Sequence, residues 1–217
     1  MGRVCVLYSA GIESSVLLHE LSESRRVVPV YVRNGFRWEE TEIEYGRRMT
    51  ESVEGVNDLE VFDTPVDDIY PRHWGLGDGD VPDEESSDES VYLPGRSLLL
   101  LSKPAVFCSM NGVEEIYHGT LAGNPFPDST REFFDLAENL YGTALDATID
   151  IKTPYADIGK KDVIHRGLES DVPFDLTFSC IDPIEGKHCG ACNKCGERHR
   201  EFEKAGVEDS TEYVNEF

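Results

Sequence analysis

Four cysteines near the end of the chain, Cys180, Cys189, Cys192 and Cys195, stand in the spacing C-x8-C-x2-C-x2-C. Thiolates are soft ligands. Three on one tight turn, with a fourth arriving from the preceding run, can wrap a single zinc ion tetrahedrally. Gly190 eases the bend within the close set. Four sulfurs leave no open coordination position, so such a site is expected to fold its surroundings, residues 175–205, and to do no chemistry of its own. His188 adjoins Cys189 and is expected beside the ligands or exposed, not among them. Cys5 and Cys108 sit in apolar runs and read as small core residues. Disulfides are not expected in a chain read as cytoplasmic.

A second constellation follows the opening apolar run RVCVLY. The segment Ser9-Ala10-Gly11-Ile12-Glu13-Ser14-Ser15 ends a strand and opens a helix. A helix start presents unpaired N–H groups and a partial positive charge, small residues let the backbone approach a phosphate, and serine hydroxyls add donors. Neither G-x-G-x-x-G nor G-K-[ST] is present, so this is not a dinucleotide fingerprint or a Walker loop. Taken alone, the segment leaves open both phosphate binding and an ordinary capped turn.

The elements that would position these groups alternate. Strands are expected over 3–8, 27–32, 59–62, 115–118 and 148–151. Helices are expected after Gly11 (with Val16, Leu17, Leu18 and Leu21 inward) and over 38–50, 97–110, 128–141, 158–168 and 196–205. Pro104 is expected to kink the third helix, and Asp128 or Ser129 to cap the fourth. This alternation indicates an α/β fold, a doubly wound parallel sheet with helices on both faces. Residues 75–90, GLGDGDVPDEESSDES, are acidic and poor in apolar side chains, and read as a mobile, solvated surface loop. The expected organisation is an α/β domain over 1–175 that carries the Ser9–Ser15 loop and a small zinc-binding element over 176–217.

The 217 residues carry 43 acidic against 20 basic groups, a net charge of −23. Such a charge repels nucleic-acid phosphates and argues against a zinc-finger nucleic-acid binder. With arginine outnumbering lysine, it suggests adaptation to high salt, where repulsion is screened. No apolar run approaches the roughly 20 residues of a membrane span, and the N-terminus lacks the features of a signal peptide, so no membrane association is expected. The histidines show no paired spacing, and no nucleophile–base pair is evident.

S-A-G-I-E-S-S resembles the S-G-G-x-D-S loop of the PP-loop ATP pyrophosphatases. Leu93-Pro94-Gly95-Arg96-Ser97-Leu98, Pro127-Asp128 with Glu132-Phe133, Thr153-Pro154, Lys160, Thr177-Phe178-Ser179-Cys180 and Cys189-Gly190-Ala191-Cys192-Asn193-Lys194-Cys195 with Arg198 narrow the resemblance to the 7-cyano-7-deazaguanine synthase family. The resemblance implies an adenine nucleotide alpha hydrolase-like α/β fold with a zinc-bound C-terminal element. It implies conversion of 7-carboxy-7-deazaguanine and ammonia to the nitrile preQ0 in queuosine- or archaeosine-type tRNA nucleoside biosynthesis. ATP serves as co-substrate through an acyl-adenylate, Mg2+ accompanies it, and members are often homodimers. By position, Ser9, Gly11, Ser14 and Ser15 would hold the pyrophosphate part of ATP, with Ala10, Ile12 and Glu13 completing the loop. Arg96 would meet the α-phosphate or the carboxylate, as suits a planar cation, unless it is a surface residue at its helix start. Lys160 would meet phosphate or be a solvated helix lysine, and Asp128 is at least a helix cap.

The chain departs from the family pattern in several places. Ala10 replaces a glycine, which a negative φ would tolerate, and Glu13 replaces an aspartate. Arg33-Asn34-Gly35-Phe36-Arg37 stands where the family has Asp-(Tyr or Phe)-Gly-Gln, and residues 119–126 lack the usual Asp-Tyr-Ser-Gly-like run. A paralogue acting on another carboxylate or another amine is therefore the alternative reading, followed by a nucleotide-binding module without turnover.

Overall fold

β1 (Arg3–Leu7) and β2 (Arg26–Arg33) are almost unbroken apolar runs, as strands covered on both faces are. In a computed structural model that describes residues 2–70 and 72–215, they lie at the centre of a five-stranded sheet. β3 (Glu60–Asp63), β4 (Glu115–Tyr117) and β5 (Asp150–Lys152) complete it, all pairs parallel, in the order β3-β2-β1-β4-β5. Met1, Pro71, Glu216 and Phe217, which fall within the two expected segments, lie outside the described residues.

Among the described residues, six α-helices follow or join the strands: α1 (Ile12–Ser22), α2 (Glu39–Ser52), α3 (Arg96–Asn111), α4 (Arg131–Leu145), α5 (Lys160–Glu169) and α6 (Asn193–Ala205). Alternate strand residues feed two cores. Val4, Val6 and Val27 pack with Leu17 of α1, Met49 of α2, Val163 of α5 and Phe202 of α6. Cys5, Val28, Val30 and Ile116 pack on the other face with Leu101 and Ala105 of α3 and Phe134 of α4. The sheet is thus doubly wound. Cys5 and Cys108 are buried free thiols in that second core. Among the described residues no helix is long and apolar enough to cross a membrane.

Strand order reverses between β1 and β4, and a crevice opens there beyond their C-terminal ends, where open α/β sheets take their ligands. Two expectations need correction. Thr130, not Asp128 or Ser129, caps α4, its hydroxyl accepting the Phe133 amide at 3.1 Å. And residues 82–86 are not a free loop. Asp83 pairs as a bridge with Cys192, the Glu84 amide donates to Ala191 O at 3.1 Å, the Asn193 amide donates to Pro82 O at 2.9 Å, and Asn193 Nδ2 donates to Ser86 O at 2.6 Å. An acidic composition keeps these side chains wet, but their backbone is bonded to the cysteine element.

Candidate active site and metal centre

The crevice is a cleft of about 380 Å³ with two differently furnished ends. At one end lies the loop after β1. Gly11 precedes α1 in an extended conformation (φ −68°, ψ 167°), which leaves the first-turn amides facing the helix start. Ser9, Glu13 and Ser14 line the cleft; the Ser9 and Ser14 hydroxyls are 3.3 Å apart, and Ser14 Oγ donates to Gly11 O at 3.1 Å. Ile12 is core, and Ser15, three residues on, shares its inward stripe. The Ser15 hydroxyl lies 3.1 Å from the Tyr8 hydroxyl and its amide donates to Gly11 O, so Ser15 supports the loop from beneath and is not among the residues that line the cleft. Ala10 sits at φ +58°, in the left-handed region, so the negative φ that would tolerate an alanine in place of glycine is not adopted. That conformation costs an alanine roughly 1 kcal/mol relative to glycine. It is held by the Phe178 amide, which donates to Ala10 O at 2.8 Å. Across the cleft, Gly119 follows β4. A Cβ there would stand 3.0 Å from Glu13 Cβ, so glycine permits the close approach of the two loops.

Lys160, at the start of α5, reaches into the same end. Its Nζ is 3.0 Å from Glu13 Oε1 and 2.5 Å from Glu197 Oε1, and Lys194 Nζ is 2.6 Å from Glu197 Oε2. Burial opposes the Lys160 ammonium, but Glu13 and Glu197 hold its pKa well above the ordinary lysine value. Burial also opposes the Glu197 carboxylate, and Lys160 and Lys194 hold its pKa well below the usual range. Lys160 is therefore no solvated helix lysine. It links the loop after β1 to α6.

The other end is aromatic. Glu39 accepts the amides of Asn34, Gly35 and Phe36 at 2.8, 2.7 and 3.0 Å, fixing the turn after β2. Phe36 stacks on Trp38 (centroids 4.7 Å apart) and Trp38 on Trp74 (5.5 Å). Trp38, Trp74, Tyr31, Glu42 and Tyr92 line the cleft. Glu42 Oε2 accepts the Tyr31 hydroxyl at 2.5 Å; burial pushes the Glu42 pKa up to about 8, against the Tyr31 bond and the Arg96 charge. Arg96, at the start of α3, sets its guanidinium 5.6 Å from the Phe36 ring centre, with Nε buried and without a hydrogen-bond partner among the described residues. Asp128 and His118 complete this wall; the His118 Nδ1 lies 2.6 Å from Thr120 Oγ1, and burial lowers its pKa to about 4.

The four cysteine sulfurs lie within 4.8 Å of one another, with Cys180–Cys192 at 3.8 Å and Cys189–Cys195 at 3.9 Å. A tetrahedron with about 2.3 Å zinc–sulfur bonds has edges of about 3.8 Å. The Asp182 and Cys189 amides donate to Cys180 Sγ, and the Ala191 and Cys192 amides to Cys189 Sγ, each at 3.3 Å, as suits thiolates. The donor set fits zinc. Gly190 adopts φ +77°, and a Cβ there would stand 2.0 Å from Asn215 O. His188 is neither ligand nor exposed. It is 1% exposed, its Nε2 accepts the Ser179 amide at 3.1 Å, and burial pushes its pKa down to about 3. Arg198 is also buried, donating to Thr177 Oγ1, Thr211 Oγ1 and Phe174 O.

The family model described as queuosine biosynthesis protein QueC matches residues 3–206. The chain belongs to the QueC family. It is 30% identical over 224 residues to a protein of Chlorobium phaeobacteroides (97% of this chain, 96% of that one) and 29% identical over 220 residues to one of Caldicellulosiruptor bescii (97% of each). It is also 30% identical over 230 residues to one of Methanopyrus kandleri (99% of this chain, 100% of that one). Each of these relatives is described as a 7-cyano-7-deazaguanine synthase, so this is an enzyme family. In this QueC-family chain the sequence motifs marked Ser9, Glu13, Ser14, Arg96, Asp128 and Lys160, and the fold brings all six to one cleft. The motifs did not mark Tyr31, Glu42, Trp74 or Glu197 on its walls, and Lys194 stood in the cysteine motif without a role given to it. For Glu42 a cue existed: it lies in phase with Ile43, Gly46 and Met49 on the buried face of α2.

Proposed function

We propose that this QueC-family protein converts 7-carboxy-7-deazaguanine and ammonia to 7-cyano-7-deazaguanine at the expense of ATP. The observation that carries the proposal is the single cleft at the strand-order reversal. It joins an anion-binding helix start, flanked by Ser9 and Ser14, to an aromatic end that holds Arg96. Carboxylate oxygen is a poor leaving group and AMP a good one. Attack of the carboxylate on the α-phosphorus of ATP gives an acyl-adenylate and pyrophosphate, and ammonia displaces AMP to give the amide. Adenylation of the amide oxygen by a second ATP, with loss of AMP and a proton, leaves the nitrile. The amides of the α1 start, with the Ser9 and Ser14 hydroxyls, would hold the pyrophosphate portion. Arg96, with its free Nε, would hold the carboxylate or the α-phosphate. Lys160 would exchange part of its contact with Glu13 for phosphate oxygen. Magnesium bound with the nucleotide would neutralise phosphate charge, and since such an ion usually takes most of its shell from water and phosphate, one carboxylate would suffice, which Glu13 would supply. Zinc, held by the four cysteines, would stiffen the wall that Ile181, Lys194 and Glu197 give to the cleft.

Mass spectrometry of the product made from 7-carboxy-7-deazaguanine, ATP, magnesium and ammonium tests the proposal: a nitrile mass supports it. The alternative, joining the carboxylate to a different amine and stopping at an amide, is favoured by the turn at Asn34–Phe36 and by Asn124 and Phe126 in the cleft wall, where the family pattern is not kept. An amide mass would select it, and absence of pyrophosphate release with any carboxylate would reject both. We place the enzyme in the cytoplasm, as a homodimer. The exposed Leu98, Val106 and Met110 of α3, with Leu136 and Leu140 of the adjacent α4, are the face that supports a second copy. Light scattering of Met110→Glu, expected as a monomer, tests it.

A further inference from the structure

We infer that Glu42, backed by Tyr31, accepts the exocyclic amine of a purine-type ring bound at the aromatic end of the cleft. The inference rests on the adenylating reading above, which brings two such rings to this cleft, the adenine of ATP and the deazaguanine. Two glutamates of α2 are buried, and they differ. Glu39 is saturated by three backbone amides. Glu42 has the Tyr31 hydroxyl on Oε2 and forms no ion pair among the described residues, yet it lines the cleft. The other glutamates of the helix, Glu40, Glu44 and Glu51, are exposed. A buried carboxyl is costly unless donors surround it, and an aliphatic side chain would fill the same place more cheaply. A carboxyl so placed gains its missing donors from whatever enters the cleft.

The surroundings restrict what that is. The charge of Arg96 acts on Glu42, Glu39 and Tyr31, so a cationic ligand is disfavoured there. A metal ion bound there without phosphate oxygens would need a second free carboxylate, and Glu39 is already occupied. Trp74 and Tyr92 line the same end and offer apolar faces to a flat ring. A neutral aromatic ring carrying an N–H donor on its edge satisfies all three conditions.

Calorimetry on the full-length protein separates the two rings. One pair of ligands is ATP and the triphosphate of purine riboside, which lacks the 6-amino group. The other is 7-carboxy-7-deazaguanine and its 2-deamino counterpart. The wild type is expected to prefer the amine-bearing member of one pair by about tenfold or more, the cost of leaving a buried acceptor unmatched. That pair identifies the ring. Glu42→Leu should abolish the preference and Glu42→Gln should reduce it, with melting curves reporting that each is folded. No preference in the wild type, which needs no variant, overturns the inference, as does an unchanged preference in both variants. If the ligands bind and turn over while discrimination is untouched, the adenylating reading survives and the role of Glu42 falls. If the wild type binds neither ring, both fall.

Discussion

Asp128 Oδ2 accepts the Ser97 amide at 2.8 Å, capping from outside the helix that begins with Arg96. Gly95, the residue before α3, has no side chain to do so. Asp128 therefore acts on a helix thirty residues upstream in the chain, not on α4 beside it. Asp128→Ala is expected to lower stability by about 1 kcal/mol, the usual worth of a cap, and to raise the KM of whichever ligand Arg96 holds. Asp128→Asn should retain most of both. Chemical denaturation and steady-state kinetics on the two variants check this.

Lys160 stands between two carboxylates of low exposure. Lys160→Met would leave Glu13 and Glu197 without that cation, with only Lys194 remaining on Glu197. Removing one partner of a buried ion cluster typically costs about 3–5 kcal/mol. We expect a loss toward the lower part of that range, since the site borders a wet cleft, and a fall in nucleotide affinity. The urea midpoint of Lys160→Met, with Lys160→Arg as the milder comparison, measures it.

Glu42 imposes a pH dependence. Its folded pKa, about 8, lies above the ordinary carboxylate value, so the folded state holds this proton more tightly than the unfolded chain. The associated stability is complete below the unfolded pKa and is lost as pH rises toward about 8. His118, lowered to about 4, works in the opposite direction, but only below its unfolded value near 6.5. Between pH 6.5 and 8 the Glu42 contribution is therefore exposed, with a slope of at most about 1.4 kcal/mol per pH unit. Unfolding free energies across that window should fall with pH in the wild type and flatten in Glu42→Gln.

Removal of zinc should be felt at two places in the chain. A chelator is expected to speed amide exchange in residues 178–195 and also in 82–86, whose backbone is bonded to Ala191, Cys192 and Asn193. Hydrogen exchange followed by mass spectrometry reads both segments. Protection retained at 82–86 after full removal of metal would show that the two are independent.

With a net charge of −23, self-repulsion is large at low ionic strength. The melting temperature should rise as potassium chloride is raised from tens of millimolar to molar, because the screening length falls from about 30 Å at 0.01 M to about 3 Å at 1 M.

What could be read from the chain beforehand followed from local signals. β1 and β2 announced themselves because strands buried on both faces are apolar throughout, and the cysteine cluster because metal ligation is written in short spacings. Ser15 was legible in principle, since helical period places it with Ile12 on the inward stripe. The left-handed φ of Ala10 was not, because alanine favours the opposite sign and the shorter of the two bonds to its carbonyl comes from the Phe178 amide, far along the chain. Nor was the partner of Asp128, which belongs to tertiary structure. Residues 82–86 misled for a definite reason: composition reports on side chains, and what fastens this segment is main-chain hydrogen bonding.

That fastening sets a timetable. Residues 82–86 leave the ribosome roughly a hundred positions ahead of the main-chain groups that receive them, so during synthesis this segment has to wait, unpaired, for the last part of the chain to emerge. A chain that ended before Ala191 would hold every strand of the sheet, the last ending at Lys152, but would lack Lys194 and Glu197 of the cleft wall. Completion of the cleft is thereby tied to synthesis of the cysteine element.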